Sequence, residues 1–269
     1  MDNYLNHRTI KWRDGKHSFE NQELICEEPL SIRIQGKAYS VVMRTPGDEF
    51  AHAAGFCLAE GIVDQSEDIV SLGFCDGEDT NVITVTLTPS RQKIIGRHLD
   101  RRQYISQTSC GICGKQLVDE LRQLLRPVEK NMQMNASRGL ACLDKLSEYQ
   151  PLRARTRAAH AAALFDKDYN LISIAEDVGR HNALDKAVGK LFLDKTLNQA
   201  AFLVLSSRIS YELVQKAARA RIAAIFAISR PTALAVSLAS SLNMTLVSRG
   251  KNNGLFVYCG ETRLINSPV

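Results

Sequence analysis

AFLVLSSRISYELVQKAARARIAAIFAISRPT, residues 201–232, holds the rhythm that decides the fold. Ala201–Leu205 is a short apolar run of strand length, closed by the polar Ser206-Ser207-Arg208. Tyr211–Arg219 repeats apolar residues at helical spacing, and Ile222–Ile228 is a second apolar run of strand length. Thr232 opens a further helix, predicted over Thr232–Leu242. Alternation of this kind predicts α/β layers around a largely parallel sheet.

The rhythm extends in both directions. His160–Phe165 and Leu171–Ala175 are predicted as the strands of a hairpin, and Asn182–Leu193 as a helix. Met244–Val247 and Leu255–Tyr258 follow as strands. The pattern starts near residue 158. A boundary within 126–156 therefore divides an N-terminal α+β region, 1–130, from an α/β domain, 131–269.

In the first region, residues 1–29 are polar and weakly patterned. Leu30–Ile34 and Tyr39–Met43 alternate around Gln35-Gly36-Lys37 and predict a hairpin. Arg44-Thr45-Pro46-Gly47-Asp48-Glu49 predicts a helix start, with Thr45 as N-cap, Pro46 at the first position and acids in the first turn. That helix places Phe50, Ala53, Ala54, Cys57 and Leu58 on one stripe and stops at Gly61. Val82–Leu87 alternates as a strand, whereas the basic residues 90–108 give no clear pattern. Leu117, Val118, Leu121, Leu124 and Leu125 predict a helix from near Gly114 to Pro127, and Leu140, Leu143 and Leu146 another.

With 269 residues and 45% hydrophobic content, the chain can bury a substantial core. Its charge of +5 comes from scattered rather than clustered basic residues, which argues against a nucleic-acid arm and for a small anionic ligand or an acidic protein surface. Residues 1–8, MDNYLNHR, lack the apolar core of a signal peptide. No apolar run approaches the ~18 residues of a membrane span. A cytoplasmic location follows as the expectation, with thiols kept reduced. Of seven cysteines only Cys110 and Cys113 are close together; Cys26, Cys57, Cys75, Cys142 and Cys259 read as small core residues.

Ser109-Cys110-Gly111-Ile112-Cys113-Gly114-Lys115 therefore carries the chemistry. Two thiols at this spacing exchange sulfur, form a local disulfide or share a metal. The N-terminus of the predicted following helix and Lys115 both favour thiolate. A zinc ribbon needs a second pair, which is absent. A zinc deaminase needs an upstream His-x-Glu or Cys-x-Glu and a proline before the first cysteine; Cys26-Glu27-Glu28 is remote, and Ser109 occupies the proline position. No metal is expected. Redox exchange and sulfur transfer both stay open on these residues alone.

Polar clusters also mark predicted strand ends: Glu176-Asp177-Val178-Gly179-Arg180-His181-Asn182, Ser206-Ser207-Arg208-Ile209-Ser210 and Ser229-Arg230-Pro231-Thr232. Helix N-termini carrying Ser, Thr and Arg seat phosphates, although each cluster alone is also an ordinary cap. Arg180, His181, Ser207, Arg208, Arg230 and Thr232 are the candidate ligand contacts, joined by the loop Arg249-Gly250-Lys251-Asn252-Asn253-Gly254. His160, in an apolar strand, reads as a buried histidine, and Asp185 as the residue that orients His181.

Together these segments resemble the formate dehydrogenase accessory protein family, FdhD, over about residues 30–260. The resemblance is carried by Arg44-Thr45-Pro46-Gly47-Asp48 with Glu60-Gly61, by Thr108–Lys115, by Glu176–Lys186, by Val214-Gln215-Lys216-Ala217-Ala218 and by Ser229-Arg230-Pro231-Thr232. It implies a dimeric, cytidine-deaminase-like three-layer α/β/α fold and a sulfur carrier. Sulfur would pass from a cysteine desulfurase to Cys110 as a persulfide, with Cys113 assisting. From there it would reach the bis-molybdopterin guanine dinucleotide molybdenum cofactor before that cofactor enters formate dehydrogenase. The Arg249–Gly254 loop would meet the guanine dinucleotide, which a guanine nucleotide would mimic. A zinc deaminase and a non-catalytic cofactor chaperone are the rival readings.

Overall fold

The computed structural model describes residues 3–75, 80–102, 125–129, 132–252 and 254–265, with backbone alone for 97–102. Cys110, Cys113, Asn253 and most of the helix predicted between Gly114 and Pro127 lie outside the described residues.

The chain opens with a hairpin that its sequence pattern hid. β1 (Tyr4–Arg13) and β2 (Lys16–Ile25) pair antiparallel over ten residues each. Asp14 (φ 52) and Gly15 (φ 74) form the connecting turn, whose two positive φ angles an Asp-Gly pair adopts readily. Both faces are wet, so Leu5, Ile10, Trp12, Phe19 and Leu24 are all exposed and no inside–outside alternation arises. Next, β3 (Glu28–Ile34) and β4 (Lys37–Arg44) form the predicted hairpin. With β5 (Ile69–Phe74) and β6 (Val82–Leu87) they make a sheet of order β4-β3-β6-β5. Leu30, Ile32, Ile34, Ile83, Val85 and Leu87 fill its inner face.

α1 (Glu49–Ala59) differs from expectation at its start and around its circumference. Asp48, in the left-handed region, is the N-cap rather than Thr45, and Ala51–Ala59 are buried without interruption. Phe50 alone turns outward, against Phe74 with ring centroids 4.8 Å apart. The unpatterned basic segment forms α2 (Pro89–Arg102), opened by Thr88, whose hydroxyl accepts from Arg91 N–H. Arg91 is buried and donates to the Gly61 and Ile62 carbonyls and to Asp64.

The second half contains β7 (Met134–Asn135), α3 (Ala136–Asp144), a 3₁₀ turn over Lys145–Tyr149, α4 (Pro151–Thr156), β8 (His160–Phe165) and β9 (Leu171–Asp177). These are followed by α5 (Arg180–Leu193), β10 (Phe202–Leu205), α6 (Tyr211–Arg219), β11 (Ala224–Ala227), α7 (Ala233–Ser241), β12 (Thr245–Arg249), β13 (Leu255–Cys259) and β14 (Leu264–Ile265). The sheet order is β13-β12-β11-β10-β8-β9. Only β10–β11 and β11–β12 are parallel. The largely parallel expectation is thus corrected to a mixed sheet: the hairpins β8–β9 and β12–β13 flank a parallel centre with antiparallel strands. Alternate strand residues feed two buried clusters. Leu203, Leu205, Ile225 and Leu246 join α1, α5, α6 and α7 in one. Phe202, Val204, Phe226 and Val247 join Cys142 and Leu143 of α3 in the other.

The larger cluster runs from Leu30 to Cys259, across the boundary predicted within 126–156. At its centre α1 and α5 meet backbone to backbone. A Cβ at Gly55 would stand 1.9 Å from Asp185 O, and one at Gly189 would stand 1.8 Å from Ala51 O. Alanine favours a helix interior over glycine by about 1 kcal/mol, but here the clash must separate two helices. Gly55→Ala or Gly189→Ala is therefore expected to lower unfolding free energy by about 3 kcal/mol or more, read from urea midpoints.

Candidate functional site

Two buried carboxylates set up the region around the start of α5. Asp177, at the end of β9, is fully buried and accepts four donors. Its Oδ2 receives Lys186 Nζ at 2.7 Å and Thr45 N–H at 3.1 Å. Its Oδ1 receives Gly179 N–H at 2.8 Å and Asn182 Nδ2 at 3.0 Å. Thr45 reciprocates: its hydroxyl accepts Val178 N–H at 3.0 Å and its carbonyl takes Lys186 Nζ at 2.7 Å. Asn182 Nδ2 also reaches Met43 O at 2.7 Å. Much of the Glu176–Lys186 motif is thus a clasp between β4 and β9. The second carboxylate, Asp185, is held by Lys216 Nζ at 2.8 Å to each oxygen. Burial raises the Asp185 carboxyl to about 6, with Lys216 opposing. Asp185 therefore does not orient His181, contrary to the sequence expectation.

Strand direction collects the polar clusters at one edge. β10, β11 and β12 run parallel and end there. β8 begins there, and His160 pairs with Asp177 at the end of β9. Thr232 N–H donates to Ile209 O at 3.0 Å and ties two of the loops together.

Arg180 opens α5 half-buried, and its Nε is enclosed with no hydrogen-bond partner among the described residues. Burial, then repulsion from Arg208, lowers its pKa, with Glu212 opposing. Buried His160 Nδ1 likewise lacks a partner among them. His181 Nε2 lies 3.2 Å from Ser210 Oγ and 3.8 Å from Glu212 Oε2. Neither Ser210 nor Glu212 stood among the predicted ligand contacts, because a partner 29 residues away leaves no local spacing signal.

Other candidates are already engaged. Ser207 is buried and its hydroxyl donates to Arg208 O at 3.0 Å. Thr232 caps α7, accepting Ala235 N–H at 3.2 Å. Arg249 pairs with Asp144 at 2.9 Å. Gly250 N–H donates to Gly254 O at 2.7 Å and Gly254 N–H to Lys251 O at 3.0 Å, closing a tight loop that leaves Lys251 and Asn252 exposed. Exposed Arg230 lies 5.5 Å from the Phe256 ring centroid. Two cavities, about 330 and 480 Å³, lie beside Asp48 and Lys190, and none of these edge residues lines them. Among the described residues no three His, Cys, Asp or Glu are grouped to hold a metal, and no helix is long and apolar enough to cross a membrane. Cys57, Cys142 and Cys259 are buried as expected, but Cys26 is only partly so. Cys75 is exposed at the end of β5, a correction to its core assignment.

The fold, the clasp and the arginine-lined edge all lie within a segment that known proteins share. The model of the FdhD/NarQ family matches residues 25–265, which include all of these features. The chain belongs to the FdhD/NarQ family. Sulfur carrier protein FdhD of Streptomyces coelicolor is 40% identical over 268 residues, covering 96% of this chain and 94% of that protein. The protein of the same name from Mycobacterium tuberculosis is 37% identical, covering 96% and 98%. A crystal structure assigned to a formate dehydrogenase accessory protein of Desulfotalea psychrophila superposes with a TM-score of 0.78 at 22% identity, covering 98% of this chain and all of that one. That likeness establishes the shared fold. The family's model begins at residue 25, so the β1–β2 hairpin lies almost wholly outside it.

Two histidines give the folded protein a defined acid response. Burial, then Lys186, Lys216 and Arg44, hold His52 well below the usual imidazole range. Burial, then Arg180 and Lys216, pull His181 to about 4, with Glu212 opposing. Both rings are neutral when folded, whereas the unfolded chain protonates them below about pH 6.5. Their contribution to stability is complete above pH 6.5 and is lost as pH falls toward 4. Asp185, whose pKa is raised, works in the opposite direction between about 6 and its ordinary value of 3.8. His160, also lowered by burial and then by Arg180 and Arg153, adds to the histidine side, so the urea midpoint should drop between pH 7 and 5, and His181→Gln should make that drop shallower.

Proposed function

We propose that this chain is a sulfur carrier serving the maturation of formate dehydrogenase. The observation that carries the reading is the like-charged pair Arg180 and Arg208 at the convergent loop edge, with no ion pair to either among the described residues, within a chain of the FdhD/NarQ family. A half-buried guanidinium with an unpartnered Nε is costly unless an anion completes it. A phosphate-bearing ligand meets that requirement, and the guanine dinucleotide phosphates of the bis-molybdopterin cofactor are the ligand proposed. Arg230 and the exposed Lys251 and Asn252 extend the same edge, with Asn253 between the latter and Gly254.

In this reading Cys110, as thiolate, attacks the outer sulfur of a persulfide on a cysteine desulfurase. The new S–S bond forms on Cys110 as the donor's S–S bond breaks and its cysteine leaves as thiolate. The Cys110 persulfide then gives its outer sulfur to the molybdenum cofactor, which is cargo rather than a resident group. Cys113 assists release: its thiolate attacks Cys110 Sγ, the persulfide S–S bond breaks, the outer sulfur leaves as sulfide to the cofactor, and a cellular dithiol reduces the Cys110–Cys113 disulfide left behind. The layered second half is read as cytidine-deaminase-like, and the working unit as a cytoplasmic homodimer. Relatives named as sulfur carriers at 37–40% identity support this assignment over a deaminase or a passive chaperone.

Incubation with a cysteine desulfurase and cysteine should add the mass of one sulfur to the peptide carrying Cys110. Cys110→Ala should abolish that adduct and reduce formate dehydrogenase activity in a deletion strain at least about 100-fold, as expected for loss of a covalent nucleophile. An unmodified Cys110, or full activity of the variant, would overturn the carrier role.

A further inference from the structure

One nitrogen of His181 faces both of its polar neighbours. Nε2 is 3.2 Å from Ser210 Oγ and 3.8 Å from Glu212 Oε2. Ser210, the residue before α6, is buried, and Glu212 lies in the first turn of that helix. Burial raises the Glu212 carboxyl, but its own backbone N–H, the Ser210 hydroxyl and the positive charge of Arg180 together hold it below its ordinary value. At neutral pH Glu212 is therefore a carboxylate and only accepts hydrogen bonds. Serine has a single hydroxyl proton. A ring hydrogen on Nε2 meets an acceptor in Ser210 Oγ at 3.2 Å, faces the Glu212 carboxylate at 3.8 Å and leaves the serine proton free to point elsewhere.

Nε2 therefore carries the ring hydrogen, since a bare Nε2 would turn its lone pair toward the Glu212 carboxylate. The cations near the ring, Arg180 of α5, Arg208 of the preceding loop and Lys216 of α6, oppose a second proton, with Glu212 alone in its favour. A neutral imidazole with hydrogen on Nε2 leaves Nδ1 as a bare lone pair.

We propose that Ser210 and Glu212 are positioning residues that lock His181 in the Nε2–H tautomer, so that Nδ1 accepts a hydrogen bond from a ligand N–H or O–H group beside the anion held by Arg180 and Arg208. The edge is then chemically divided. The arginines supply positive charge, and the histidine, despite its basic surroundings, supplies an acceptor. A ligand suited to it carries an oxyanion and, within reach, a hydrogen-bond donor. The nature of that ligand rests on the cofactor reading above, whereas the tautomer does not.

The test uses the full chain labelled with ¹⁵N, and His181 is assigned by its absence in His181→Gln. Long-range ¹H–¹⁵N spectra should show hydrogen on Nε2 and a bare Nδ1. In Glu212→Gln the side-chain amide can donate to Ser210, freeing the hydroxyl proton toward His181, and the ring should shift toward the Nδ1–H form. Glu212→Asp should retain the wild-type tautomer. Guanosine diphosphate should bind Glu212→Gln roughly tenfold more weakly, while sulfate, an oxyanion with no donor, should bind no more weakly, because the variant loses a carboxylate near Arg180. An Nδ1–H ring in the wild type, an unaltered ring in Glu212→Gln, or equal loss of both ligands would overturn the proposal. If the wild type binds neither ligand, the cofactor reading fails, and the spectra still decide the tautomer.

Discussion

A single buried carboxylate, Asp177, holds the end of β9 to the segment leaving β4. Removing a carboxylate from water costs several kcal/mol unless its oxygens are fully hydrogen-bonded. Here all four donors are present: an ammonium, two backbone N–H groups and a side-chain amide. Two of them, Gly179 N–H and Asn182 Nδ2, come from the residues that begin α5. The same interaction that closes the two regions on each other therefore sets where Arg180 and His181 emerge. Site geometry is a by-product of the clasp.

Legibility in the sequence followed the range of the interactions. The helix at Tyr211–Arg219 was readable to the residue, because Leu213, Val214, Ala217 and Ala218 are buried while Glu212, Gln215, Lys216 and Arg219 are only partly so. The short inner strands were readable for the same reason. Strand order was not, since nothing local to β8 tells it to run against β10. Thr45 looked like a helix cap because capping rules see only neighbours, whereas its hydrogen bonds go to Asp177 and Val178, more than 130 residues away. The first hairpin carries no such signal, because water on both faces removes the alternation and only Asp14-Gly15 marks it.

The site was legible as a set of loops but not as a division of labour. Helix starts and arginines were visible, and the strand directions do bring them to one edge. Which side chains remain available was hidden. Thr232 and Ser207 turn back on the backbone, and Arg249 has an acidic partner, leaving Arg180 and Arg208 as a like-charged pair. Lysine and aspartate from the same motif went into the core, where Lys186 and Asp185 each met an opposite charge on another element. A motif of this density thus encodes assembly and recognition together.

The continuous burial of α1 has a consequence for the ribosome. From Ala51 to Ala59 the helix has no face suited to water, and its main partner is α5. About 120 residues separate the end of α1 from the start of α5. At roughly 5–20 residues per second, the nascent chain carries that bare apolar helix for some 6–24 seconds before its partner is made. Translation speed and chaperone occupancy over this interval become part of what the sequence must satisfy.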